Sequence, residues 1–351
     1  MKVLVTGASG NVGSALVESL KLRPEVDAIV GVTRRVPDWR PDGVEWRAAD
    51  ITTGDLASVF SGCDTVIHLA WAVQPARDPE GLWMTNVLGS QRVFEAAARA
   101  GVTSLVHASS VAAYSPAPPG TMVSETWPTH GIPQLGYSWQ KAYVERLLDR
   151  FETETEMPVA RLRPALIFRR EVAHEIRRLF LGSVPTRLLG PWARRALELL
   201  PARFQVVHSR DAADAFARAA ATRAVGAFNI AADPPLGTRL SPRWLGPVAH
   251  HVAAAAWRSR VFAAEPGWVD LGLRAPLMDT TRARSELGWV PLRSAHVTLD
   301  ELLDGLRHDA RFPTPPLSSD READEPDRFG PMIDLTPAEQ FSDSLIAAPV
   351  G

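Results

Sequence analysis

A chain of 351 residues, 46% hydrophobic and 22% charged, is long enough for one large domain or two modest ones with a substantial buried core. Its 38 basic and 40 acidic side chains leave a formal charge of −2, which gives no broad attraction to nucleic acid or an anionic membrane, and no basic run is interleaved with aromatics. The single cysteine, Cys63, excludes an intramolecular disulfide and suits a reducing cytoplasm; its setting, SGCDTVIHL, places it beside a buried strand and at no metal or nucleophile site.

The chain starts directly on a strand pattern, MKVLVTG, leaving no room for a secretion signal, so the expected location is cytoplasmic. Helix-like SALVESLKLR follows, then DAIVGVT, LASVFSG, DTVIHLAW, NVLGSQRVFEAAARAG and SLVHASS. Continuous Val, Ile and Leu runs mark fully buried parallel strands, and helices between them mark right-handed crossovers. The pattern predicts an α/β fold, a doubly wound parallel sheet of the Rossmann type, with its dinucleotide-binding core over residues 1–168. YSWQKAYVERLLDRFETE reads as a helix and PVARLRPALIF as the strand after it.

Over residues 169–310 the pattern changes to helices and loops, with strand-like FQVVHS and GAFNIAAD on either side of helical DAADAFARAAATR. A smaller substrate-binding region is expected there, with strands returning to the core and substrate in the cleft between the two. VAHHVAAAAW is too short to span a bilayer and reads as a buried helix; adjacent His250 and His251 would point apart on it, which argues against a metal site. Residues 311–351 are rich in Pro, Ser and acids and read as a largely disordered tail. Within it, Thr336, Pro337 and Glu339 form a helix-start pattern, which leaves a short helix and a floppy tail as alternatives.

VTGASGNVGSALVESL sets Gly7, Gly10 and Gly13 between the first strand and the first helix. In that context backbone N–H groups and the positive helix end face a pyrophosphate, and missing β-carbons permit close approach, so Gly7, Ser9, Gly10, Asn11, Val12 and Gly13 are expected to grip a dinucleotide. The second strand ends on Thr33, Arg34 and Arg35, with no acid for a ribose 2′-hydroxyl. The planar fork of Arg34 suits a 2′-phosphate, so NADP is the preferred cofactor and NAD the alternative.

GYSWQKAY holds two of the three tyrosines. On a helix Tyr137 and Lys141, four apart, share a face, while Tyr143 points elsewhere and is expected to pack. A phenol near pKa 10 is a poor base at neutral pH, and a nearby ammonium would favour its phenolate.

Taken in order, TGASGNVG, AADI, HLAW, TNVLGSQRVFEAA, HASSVAAY, YSWQK, RLRPALIF, VVHSRDAADA, GAFNIAAD and DTTRARSELGWVP resemble the extended short-chain dehydrogenase/reductase superfamily, specifically the NAD-dependent epimerase/dehydratase family, to about residue 308. The resemblance implies Ser110, Tyr137 and Lys141 as the catalytic set, with Ser110 four residues before Tyr114. It implies Asp50, with Ile51 beside it, at the adenine, Leu69 and Ala70 under the cofactor, Ser109 beside the nicotinamide, and Lys141 on the nicotinamide ribose. His208 and Asp211 would support the fold. It also implies a homodimer built on the helix after TNVLG and the helix of Tyr137.

Relatives acting on nucleotide sugars usually have an asparagine where Pro164 stands and an arginine where Phe204 stands, and a later arginine-rich pattern is replaced by WVDLGLRAPLMD. Without those cations a diphosphate loses its anchors, and Arg163 with Pro164 resembles instead reductases of less charged alcohols and ketones. The arginines of RREVAHEIRRLF and GPWARRALELL read as a solvated face ahead of contacts to an anionic substrate. The expectation is an NAD(P)-dependent oxidoreductase interconverting a secondary alcohol and a ketone of a small molecule, with Tyr137 as general acid/base and no metal. The alternatives are a nucleotide-sugar epimerase or dehydratase that uses the cofactor transiently, and a non-catalytic dinucleotide-sensing regulator.

Overall fold

The computed structural model describes residues 1–73, 77–181, 186, 192–199, 202–238, 245–259 and 264–318. The chain divides into Met1–Ser319 and Asp320–Gly351; the helix-start pattern at Thr336 lies outside the described residues.

In chain order the elements are β1 (Lys2–Thr6), α1 (Asn11–Lys21), β2 (Ala28–Thr33), β3 (Val44–Ala48), α2 (Leu56–Phe60), β4 (Thr65–His68), α3 (Pro79–Trp83), α4 (Gly89–Arg99), β5 (Ser104–Ala108), β6 (Met122–Val123) and α5 (Gly136–Thr155). They continue as β7 (Val159–Pro164), β8 (Leu166–Phe168), α6 (Ala173–Ile176), α7 (Trp192–Glu198), β9 (Val206–His208), α8 (Ser209–Ala221), β10 (Gly226–Ile230), α9 (Leu245–Arg258), α10 (Gly267–Arg274), β11 (Leu277–Met278), α11 (Thr281–Glu286) and α12 (Ala295–His308).

Seven strands form one parallel sheet in the order β10-β7-β5-β4-β1-β2-β3. Successive strand residues point to opposite faces, and both faces are covered. Val3, Val5, Ile29 and Ile67 pack with Leu16, Leu20 and Phe216 from α1 and α8; Leu4, Val30, Val66 and Leu105 pack with Phe60, Phe94 and Leu148 from α2, α4 and α5. The doubly wound prediction therefore holds. Residues beyond 168 contribute α8 and the edge strand β10 to the same sheet.

Two local expectations differ, and one strand carries no signal of its own in the sequence. PVARLRPALIF is two strands: β7 stays in the large sheet, whereas β8 pairs with β9 in a separate two-stranded ladder. Pro164 ends β7 because it has no N–H to continue the ladder, and the chain changes partner beyond it. The edge strand β3, VEWRA, has no apolar run to announce it and is held by its backbone pairing with β2. The helix read from VAHHVAAAAW lies at the surface, with Val248 and Val252 exposed at 50% and 63%. Alanine-rich composition suits a helix on either side of the surface, and so carries no burial signal.

Candidate active site

Strand order reverses between β1 and β4, and in open α/β sheets the crevice at such a reversal, beyond the carboxyl ends of the strands, receives ligand. Gly7, Arg34, Asp50, Ala70 and Ser110 all follow strand ends on this edge. Gly7 has φ +71° and donates its N–H to Val32 O at 3.0 Å; a β-carbon there would lie 2.8 Å from Ala70 N. A β-carbon on Gly13 would lie 2.2 Å from Gly7 O, so the turn can fold onto the helix only with glycine at that position.

Gly10 begins α1 without any side-chain cap, which leaves the first-turn N–H groups of Asn11, Val12 and Gly13 facing outward unpaired. This uncapped end, backed by two glycines with no room for a side chain, fits a pyrophosphate. The Asn11 side chain does not contribute, because its amide donates to Ile167 O at 3.3 Å and accepts from Ser209 at 2.7 Å; only its backbone faces the crevice. Ser9 is buried.

Around the rim, Arg34 is exposed and has no hydrogen-bond or ion-pair partner among the described residues. Asp50 Oδ1 accepts from the N–H and hydroxyl of Thr52 at 2.8 and 2.6 Å. Ile51 packs on Gly89, and its carbonyl accepts from Arg92 at 3.1 Å. Leu69 N–H donates to Thr6 O at 3.2 Å, and Ala70 N lies 3.4 Å from the Thr6 hydroxyl.

Ser110, Tyr137 and Lys141 come together. Ser110 leaves β5 in an extended conformation with its Oγ accepting the Ala112 N–H at 3.1 Å, and its hydroxyl lies near enough to the Tyr137 phenol, on the first turn of α5, to favour the phenolate. Lys141 donates to Ala108 O at 2.7 Å, and its ammonium stands 3.3 Å from the Trp71 ring centroid and 5.7 Å from that of Tyr137.

Burial pushes the Tyr137 phenol up, and the opposing influence is the Ser110 hydrogen bond. Burial also drives the Lys141 amine well below its usual range, with the Glu145 charge pulling it back. Desolvation disfavours both charged forms, and the Ser110 hydroxyl acts on the phenol in the opposite direction.

Ser109 donates its hydroxyl to Glu145, a carboxylate without solvent exposure that Arg163 grips through Nε at 2.8 Å and Nη2 at 2.6 Å. Arg163 also donates to the Tyr114 hydroxyl at 3.0 Å and Glu125 O at 2.8 Å. Sequence reasoning passed over Glu145, although Tyr137, Lys141 and Glu145 follow one another at four-residue spacing on one face of the helix. It also passed over Trp71 and Phe180, which join Tyr137 and Trp268 from distant segments; Trp268 lies in the Trp- and Ala-rich PRWLGPVAHHVAAAAWRSRVFAAEPGWVDLGL, whose composition suits an apolar wall but more often helical packing.

The remaining candidates serve packing and pairing. Tyr143 is half-exposed and lies 5.0 Å from the Trp83 ring. His208 Nε2 meets Glu301 at 3.0 Å, and Asp211 holds Arg293 at 3.0 Å. Phe204, where a relative's arginine would stand, packs in the β8–β9 cluster. Arg194 pairs with Glu198 and Asp300, His250 with Asp270, and Cys63 is buried. Among the described residues no cluster of His, Cys, Asp or Glu is arranged to hold a metal, and no helix is long and apolar enough to cross a membrane.

A parallel doubly wound sheet with a glycine-rich turn at its reversal and a serine, tyrosine and lysine at the same edge defines a dinucleotide-dependent enzyme of the short-chain dehydrogenase/reductase type. Residues 3–231 match the NAD dependent epimerase/dehydratase family, and the chain belongs to it. It is 29% identical over 314 residues to UDP-glucose 4-epimerase of Mycolicibacterium smegmatis, covering 83% of this chain and 94% of that one. It is 30% identical over 145 residues to a putative dihydroflavonol 4-reductase of Synechocystis, covering 40% of this chain and 41% of that one. Among solved structures, MoeE5 in complex with UDP-glucuronic acid and NAD shares the fold at TM-score 0.62 and 24% identity, covering 88% of this chain and all (100%) of that one. UDP-glucose 4-epimerase of Thermus thermophilus in complex with NAD does so at 0.63 and 23%, covering 88% and 99%.

Proposed function

We propose that the chain is an NADP(H)-preferring oxidoreductase that interconverts a secondary alcohol and a ketone on a small organic molecule. The observation that carries this reading is the convergence of Ser110, Tyr137 and Lys141 beside the uncapped end of α1. Tyr137 exchanges the proton on the substrate oxygen, Ser110 orients that oxygen and holds the phenol, and Lys141 anchors the nicotinamide ribose. A nicotinamide bound there supplies or accepts the hydride. The main-chain N–H groups of Asn11, Val12 and Gly13 bind the pyrophosphate, and the free guanidinium of Arg34 favours a 2′-phosphate.

A second reading, a nucleotide-sugar epimerase or dehydratase, is favoured by the near full-length similarity to UDP-glucose 4-epimerase of Mycolicibacterium smegmatis. Pro164 and Phe204 weigh against it, because neither can grip a diphosphate. Half-exposed Met84, Trp139 and Tyr143 lie at or beside α4 and α5 and support a homodimer through these helices. The lone cysteine supports a cytoplasmic setting.

The test is Tyr137→Phe in the full chain. Cofactor affinity should stay within about twofold while turnover with a carbonyl panel falls by roughly 10²-fold or more. Undiminished turnover would remove the assignment. Net consumption of NADPH separates the reductase from the transient-cofactor reading, and binding of NADPH with no turnover by the native chain would favour a regulator.

A further inference from the structure

Four aromatic rings meet at the start of α5. The Trp268 ring lies 5.1 Å from that of Tyr137 at an interplanar angle of 37°, Trp71 meets the same phenol ring at 5.9 Å and 76°, and Phe180 stands edge-on to Trp268 at 4.8 Å and 88°. All four are only partly buried, so each presents apolar surface beyond what the others cover.

The arrangement is held from below. A β-carbon on Gly267 would lie 2.1 Å from Gln134 O, which shows how closely α10 sits on the segment leading into α5. The partly buried Glu265 carboxylate lies against the start of α5, where a β-carbon on Gly136 would stand 3.7 Å from its Oε1 and no side chain caps the helix. The close approach of the α10 backbone to Gln134 and Leu135 sets Trp268 beside Tyr137.

Several cations of the surrounding segments are committed elsewhere. Arg163 pairs with Glu145, Arg169 donates to Ser14, and Arg177 stands 3.6 Å from Asp309; Arg178 has no partner among the described residues. A diphosphate needs several converging donors, and the ring faces of this wall offer none. A polyhydroxylated ring pressed on this wall would leave hydroxyls without partners, whereas a flat uncharged ring would lose only water.

Resting on the assignment of Tyr137 as the proton-exchanging group, we propose that Trp71, Phe180 and Trp268 form a specificity wall selecting an uncharged ketone or secondary alcohol with a flat ring next to the reacting carbon. The wall acts in binding, so it touches KM and affinity ahead of kcat.

The experiment compares 1-tetralone, cyclohexanone, acetone and UDP-glucose with the full chain and NADPH, alongside calorimetric binding of 1-tetralone to the NADP-loaded protein. The expected result is a kcat/KM for 1-tetralone at least about tenfold above that for acetone, with that ratio falling towards one through KM in Trp268→Ala. Binding of 1-tetralone should weaken about tenfold in the same variant. Unchanged discrimination and affinity in Trp268→Ala, or UDP-glucose as the preferred substrate, would overturn the wall. Should Trp268→Ala fail to fold, Phe180→Ala is put through both measurements, and the same outcomes uphold or overturn the wall. If no carbonyl is reduced, the oxidoreductase reading fails, and calorimetry still decides the wall: weakened binding in the variant upholds it and unchanged binding overturns it.

Discussion

Arg163 holds both carboxylate oxygens of Glu145, at 2.8 and 2.6 Å, where Glu145 has no solvent exposure and Arg163 is 4% exposed. Burial pushes the Glu145 carboxyl up, but the hydrogen bonds and charge of Arg163 outweigh it and hold the group below its usual range, helped by Ser109. Removing one partner leaves the other charged in a dry environment. Glu145→Gln should therefore cost about 3–5 kcal/mol in urea unfolding. A loss under about 1 kcal/mol would show that the pair is not desolvated as described.

Gly13 tests the phosphate-gripping turn. Because its β-carbon would lie 2.2 Å from Gly7 O, Gly13→Ala must shift backbone at the uncapped helix end. The expected cost is about 1–3 kcal/mol of stability, with at least roughly tenfold weaker NADPH binding by calorimetry. Gly272→Ala is the control, since a β-carbon there meets nothing within 4 Å and the helix should gain up to about 1 kcal/mol.

Arg34 separates the two nicotinamide cofactors. Arg34→Ala should raise the Kd of NADPH about tenfold and leave that of NADH within about twofold, as expected for one charge-assisted contact to a 2′-phosphate. Equal affinity of the native chain for both cofactors would end the NADP preference.

Two buried histidines predict acid sensitivity. Burial, reinforced by the Lys141 charge, lowers His68 to about 3 and drives His107 well below its usual value. Below pH 6.5 the unfolded chain takes up a proton on each ring that the folded chain refuses, so their contribution to stability falls as pH drops from about 6.5 towards 3. For His68 this should cost about 2 kcal/mol at pH 5 relative to neutral pH, and His107 acts in the same direction. Both ring nitrogens of His107 are buried without a partner, whereas those of His68 meet Thr6 at 2.7 Å and Ser90 at 3.0 Å. His107→Phe should thus match or exceed native stability at neutral pH and shallow the acid slope of the Tm. A slope unchanged from the native chain would refute the assignment of His107 as a refused proton site.

Much of the fold was legible because its signals are local. KVLVTG, DAIVGVT and DTVIHLAW are apolar runs with turn residues behind them, and a strand buried on both faces requires such runs. The edge strand VEWRA and the change of partner after Pro164 were not legible as such, since each depends on which neighbour the backbone finds. The surface position of α9 escaped for a related reason: alanine tolerates either environment.

For the site, spacing alone put Gly7, Gly10 and Gly13 in one turn and Tyr137 and Lys141 on one helix face, because helix and turn geometry are decided by neighbours in the chain. That Ser110, from the end of β5, comes to the phenol as well as Lys141 was decided only in three dimensions, where burial also works against both charged forms. The aromatic wall likewise exists only after folding. Trp71, Phe180 and Trp268 are brought to Tyr137 by packing between segments far apart in the chain, and packing of that kind leaves no periodic trace in the order of residues.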